Sequence, residues 1–265
     1  MKRRGEKILT PVRANIGIRI AYRRKLLRFV DQMVVSYRHW IVARYRANPP
    51  AMAQDEPASK ALERELRKLS KRWRKNFDDA ANDLAEHFAK DVAERSSASL
   101  RAILKKGGWT VRFKMTRAMQ DVLNATVAEN VSLIRSIPQE FHTQIEGLVM
   151  RSVTAGRDLS TLSEELEARF KVPRRRAELI ARDQNNKATA VFTRVRYQEM
   201  GIEYAIWLHS AGGKSPRKTH VANSGKRYKV SEGWFDPDPK VRKYIWPGFL
   251  INCKCVARPV VRGFT

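Results

Sequence analysis

Both cysteines of this 265-residue chain, Cys253 and Cys255, are one residue apart in the stretch PGFLINCKCVARPVV. On an extended segment, residues two apart point to the same face, so two thiolates there can chelate one metal ion. His209 and His220 lie upstream, and four N/S ligands suit tetrahedral zinc. A single CxC is a less specific signal than a pair of CxxC knuckles. Free cysteine is also commonly a small buried hydrophobe, so zinc and plain burial both stand. A disulfide between residues this close is strained, and no thioredoxin-like context surrounds them, which leaves redox chemistry the weaker reading.

Three further groups bear on chemistry. Arg217, Lys218 and His220 fall in SPRKTHVANSGKRY, readable as a phosphate- or carboxylate-binding loop or as a solvated basic turn. Asp236 and Asp238 in FDPDP are candidate metal ligands or an acid–base pair, although Asp beside Pro is more often a turn residue. Trp234, Trp246 and Phe249 interleave with Lys240, Arg242 and Lys243. That mixture fits base stacking with phosphate contact, and fits core aromatics with basic neighbours better. The chain has no GxSxG, HExxH, P-loop or dinucleotide fingerprint.

The charge balance narrows the partners. Lys and Arg number 53 against 27 Asp and Glu, a net +26 with a pI near 10.6. Such an excess calls for an anionic partner: nucleic acid, an acidic protein surface or an anionic membrane. No apolar run reaches membrane-spanning length. The basic N-terminus resembles the start of a signal peptide, but Arg13, Arg19, Arg23 and Arg24 interrupt its apolar part. Residence in a reducing cytoplasm is the expectation.

The elements that must position these residues are mostly helical. Residues 1–47 carry thirteen Lys and Arg against Glu6 and Asp31. Leu26, Leu27, Val30, Met33, Val34, Tyr37, Trp40 and Ile41 recur at helical spacing there. This predicts a basic amphipathic arm over 1–47, with its apolar stripe on protein and Arg23, Arg24, Lys25 and Arg28 on the outer face as candidate phosphate contacts. A membrane-surface role is allowed by the same pattern and explains nothing else. Residues 48–58 read as a linker. A long-helix region is predicted over 59–156, with Ser59 as an N-cap. It comprises a helix to about Ser96, a short piece ended by the glycines at 107–108, a brief strand in WTVRF, a helix over 116–134, and another begun at Pro138 and ended at Gly156. Over 157–265 the pattern predicts a Thr161–Glu164 capping box, a helix opened by Pro173 and closed by Gly201, then short strands and loops from 202 onward. That last stretch holds twelve Lys and Arg against four acids. The fold class is therefore mainly α, with long helices forming an extended arm or bundle and a small C-terminal α+β module.

The C-terminal half resembles the phage Mu F-like head morphogenesis family, the minor capsid proteins of tailed phages. The pattern is Trp207 after a helix ending in Gly201, Arg217 and His220 as R-x-x-H, Gly225, the Pro247–Gly248 turn, then Cys253 and Cys255 with Pro259 following. One departure is plain: HSAGGKSP places Lys214, and no acid, between the Trp and the R-x-x-H. The resemblance implies a structural, non-enzymatic component of the virion interior. It would be made in the host cytoplasm, with the portal protein, the major capsid or scaffolding protein and packaged double-stranded DNA as partners and no membrane. Two rivals remain open: a zinc-containing basic nuclease or processing enzyme using His220, and a stand-alone nucleic-acid-binding protein.

Overall fold

A computed structural model describes residues 5–47, 58–154, 159–211 and 215–262. The main elements are α1 (Ile16–Ala47), α2 (Ala58–Gly107), α3 (Arg117–Thr154) and α4 (Leu159–Glu199), with β1 (Glu6–Ile8) ahead of them. After them come β2 (Tyr204–Leu208), the short α5 (Lys218–Ala222), β3 (Arg227–Lys229), β4 (Trp234–Asp236), β5 (Lys243–Ile245) and β6 (Val256–Arg262). The chain is thus mainly α with a small C-terminal sheet module, as the periodicity predicts. No described helix is long and apolar enough to cross a membrane.

Two compact units emerge, and neither is a contiguous stretch. One comprises Met1–Arg19, Glu86–Val127 and Arg182–Thr265; the other comprises Ile20–Ala85 and Ala128–Ala181. The expected boundaries near 58 and 156 therefore do not separate the units. Most of the expected linker, and Gly156, lie outside the described residues. Ala58 already opens α2.

The helical unit is a four-helix bundle. Tyr22 donates to Asn130 and Tyr37 bonds His142, so α1 and α3 run together. Phe29 packs on Phe77 and Arg44 pairs with Glu65, so α1 and α2 are antiparallel. Arg23 pairs with Glu178 and Arg38 with Glu167, so α1 and α4 are antiparallel too. Its core holds Leu26, Val30, Met33, Tyr37 and Ile41 from α1, with Leu66, Phe77, Phe141 and Phe170 from the other helices. The α1 stripe therefore lies on protein.

Two prolines expected to open helices stand inside them. Pro138 lies within α3 and Pro173 within α4. Each removes one backbone donor. Around Pro138, however, Ile134, Ile137, Phe141 and Ile145 form one continuous buried stripe, and tertiary packing of such a face outweighs local preference. In the same way α2 runs unbroken through Ser96 to Gly107.

His142 gives the bundle an acid sensitivity. Burial, helped by Arg74 and opposed by Glu146, holds its pKa below the ordinary value. Tyr37 Oη lies 3.3 Å from its Nδ1, a contact the neutral ring accepts. A histidine depressed in the folded state contributes fully above its unfolded pKa of about 6.5 and loses that contribution as pH falls. The urea midpoint is expected to drop on acidification below that pH, and His142→Gln to flatten the drop. An unchanged profile in the variant would assign the effect elsewhere.

In the other unit, the sheet order is β1-β6-β2-β3, all antiparallel, with β4 and β5 as a separate hairpin. The alternation in YAIWL buries Ala205 and Trp207, and these join a cluster with Leu9, Leu104, Tyr197, Tyr228 and Ile245. Residues 6–8 are a strand, correcting the all-helical arm expected over 1–47. β1 adds to the edge of β6, and Arg227 clamps the Glu6 carboxylate at 2.8 and 2.9 Å. WTVRF is not a strand, having no pairing partner in the described sheet. At the end of α4, Gly201 N–H donates to Gln198 O and Ile202 N–H to Tyr197 O, the stop that Gly201 predicts.

Candidate functional site

α5 is five residues long and presents His220 inward, 2% exposed. Three residues earlier, Arg217 donates to Ile251 O at 3.0 Å. The R-x-x-H spacing thus couples the histidine to the loop that carries the cysteines. That loop is shaped by the Pro247–Gly248 turn. Gly248 has φ +82, and a Cβ there would lie 2.8 Å from Ala190 Cβ, so both the backbone and the space select glycine. Asn252 then adopts φ 61. Asp183 accepts its N–H at 2.5 Å and Arg182 donates to its side chain at 3.0 Å. The cysteines follow in irregular backbone, not in a strand.

The result is a tight cluster. His220 Nδ1 lies 3.5 Å from Cys253 Sγ and 3.7 Å from Cys255 Sγ. The donor atoms of these three residues all fall within 4.8 Å of one another, and all three are buried. On the far side of the ring, His220 Nε2 is 3.2 Å from Asp236 Oδ2. Asp236 is fully buried, and a carboxylate oxygen accepts, so Nε2 carries the proton and the Nδ1 lone pair faces the sulfurs. Asp238 N–H donates to the other Asp236 oxygen at 3.0 Å.

Trp207 stacks edge-on against His220 at 5.0 Å and against Trp234 at 5.3 Å. The Cys253 thiol is held far below its ordinary range, at about 4. The hydrogen bond from Cys255 is the main cause; burial opposes it, while the N–H groups of Cys255 and Gly248 assist. Cys255 is raised in turn, because it keeps the proton that it donates to Cys253 and because it is buried beside that charge. Such a group can ligate a metal through both sulfurs, or can present one thiolate beside an imidazole as a nucleophile.

The other candidates are dispersed. His209 Nδ1 reaches Cys255 Sγ at 3.5 Å but stands outside the three-residue group. Lys218 is exposed at the start of α5. Arg24, Lys25 and Arg28 are exposed on α1 in the bundle, whereas Arg23 is engaged by Glu178. Gly225 adopts φ +85, with its N–H on Trp207 O. Lys214 lies outside the described residues. Trp234, Trp246 and Phe249 pack against the core of their unit, and Arg194 lies over Trp246 at 4.1 Å. Asp236 is the functional-looking residue whose role sequence reasoning missed. Sixteen positions from His220, inside a Pro-rich turn, it gives no spacing signal.

A helical scaffold closing in a small sheet, with a buried imidazole–dithiol cluster at its edge, is the class these features define. Residues 143–258 match the model of the family described as Phage Mu protein F like protein. This is the family that the Trp, R-x-x-H, Pro-Gly and CxC pattern resembles, and the match contains all eight pattern residues from Trp207 to Cys255. Over 261 residues the chain is 26% identical to an "Uncharacterized protein" of Haemophilus influenzae, covering 95% of this chain and 55% of that relative. The chain thus spans about half the length of the curated relative it matches. No solved structure matches it.

Proposed function

We propose that this protein is a minor capsid, head-morphogenesis component of a tailed phage, acting structurally at the portal and procapsid interior and contacting packaged DNA without sequence readout. The observation that carries the reading is the family match over residues 143–258. The net charge of +26 supports it: a protein surrounded by packaged DNA gains affinity through counterion release alone.

Quantitative mass spectrometry on purified heads, before and after DNA packaging, tests this. A few copies per head, present before packaging, is the expected result; absence from every particle overturns the reading. The DNA contact has its own test. Weak duplex binding with a steep salt dependence is expected, and Arg24→Gln/Lys25→Gln/Arg28→Gln should lower the log–log salt slope by about one for each phosphate no longer neutralised. An unchanged slope would remove this face of α1 from the DNA contact.

A further inference from the structure

We propose that His220, Cys253 and Cys255 form a structural zinc(II) site, completed by His209 and oriented by Asp236. The distances carry it first. Zinc–sulfur bonds of about 2.3 Å and zinc–nitrogen bonds of about 2.0–2.1 Å at tetrahedral angles place N and S about 3.5–3.6 Å apart. The observed separations are 3.5 and 3.7 Å from His220 Nδ1; His209 Nδ1 is 3.5 Å from Cys255 but outside the three-residue group, so its ring must shift to complete the tetrahedron.

The arrangement of the sulfurs comes second. Both approach one imidazole nitrogen almost equally, yet a single lone pair can accept only one S–H. A thiol nucleophile needs one sulfur there; a metal uses both. The surroundings come third. Asp236 occupies the position that a carboxylate takes behind a metal-bound histidine, where it fixes the tautomer and ring orientation. The N–H groups of Gly248 and Cys255 donate to Cys253, and that of Ser210 donates to Cys255. These donors suit thiolates.

Two thiolates, two neutral imidazoles and Zn²⁺ sum to zero charge, and the one further negative charge, on buried Asp236, is met by the N–H groups of His220 and Asp238. An S₂N₂ tetrahedron selects zinc over harder cations. The ion would tie the end of β2, α5 and the entry to β6 together, in a module whose strands are mostly three residues long.

The test uses the full chain, purified under reducing conditions with zinc supplied, and elemental analysis. One zinc per chain is expected. Cobalt(II) exchange should give a thiolate-to-cobalt charge-transfer band and tetrahedral d–d bands, and a chelator should lower the Tm. Cys253→Ser and Cys255→Ser should each abolish the charge-transfer signature or weaken it strongly. Asp236→Asn keeps every ligand and should weaken zinc affinity about 10–100-fold. His209→Ala should keep the thiolate band and alter the d–d bands; unaltered bands overturn His209 as the fourth ligand. A chain that is folded by circular dichroism yet binds neither zinc nor cobalt overturns the site. So does rapid alkylation of Cys253 that zinc does not slow, which would instead mark a free nucleophilic thiolate.

Discussion

Trp207→Ala is expected to lower stability by about 3–5 kcal/mol, the range for truncating a fully buried large aromatic. Trp207 is 0% exposed and lies on β2, paired on one side with β3 and on the other with β6. Its ring meets His220 at 5.0 Å, Trp234 at 5.3 Å and Tyr228 at 6.1 Å, all edge-on. Each such pair adds about 0.5–1.5 kcal/mol beyond the area it buries. Against a total of about 5–15 kcal/mol for an ordinary domain, this loss is large. Denaturant unfolding measures it, and amide exchange over residues 204–208 locates it. Trp207→Phe should recover much of the loss, because an aromatic ring still fills the centre of the cluster. An alanine variant within about 1 kcal/mol of the parent would show that the cluster collapses onto the space, and that Trp207 is not its keystone.

The sequence signals that read well here are those acting over a few residues. The α1 stripe, the alternation around Trp207 and the Gly201 stop each depend on neighbours within one or two turns. R-x-x-H and C-x-C are local too, and the chain brings His220, Cys253 and Cys255 together. What stayed hidden depends on distant partners. β1 is only three residues, and nothing in EKI announces a strand; it exists because β6 offers an edge and Arg227 a clamp for Glu6. Asp236 looks like a turn residue until the hairpin of β4 and β5 seats it behind His220. Pro138 and Pro173 carry a correct local rule, overridden by apolar stripes that continue through both positions. WTVRF alternates like a strand but lacks a partner to pair with. In each case the deciding energy lies in contacts between residues far apart in the chain.

One buried charge lets that principle be measured. Arg196, 5% exposed, is the second expected site of large loss. Its guanidinium donates to Lys114 O at 2.7 Å, to Glu199 Oε2 at 2.8 Å and to Ser97 Oγ at 3.3 Å, and lies 4.8 Å over the Phe113 ring. Thr116 Oγ1 donates to the other Glu199 oxygen. One side chain of α4 thus fastens the extended 109–116 segment, which forms no strand pairing, and touches α2 through Ser97. Arg196→Ala removes a buried guanidinium with its hydrogen bonds and is expected to cost about 2–3 kcal/mol, less than breaking a fully buried pair because Glu199 is exposed and water can replace its partner. Arg196→Met with Glu199→Gln removes both charges and keeps most of the packing volume, so it should cost clearly less than the two single changes added together. Urea unfolding of the parent, Arg196→Met, Glu199→Gln and the double variant gives the cycle directly, with Arg196→Ala measured beside it. If Arg196→Ala costs under about 1 kcal/mol, or the double variant is simply additive, then the guanidinium is not what holds residues 109–116 in place, and packing of Phe113 against the core must do so.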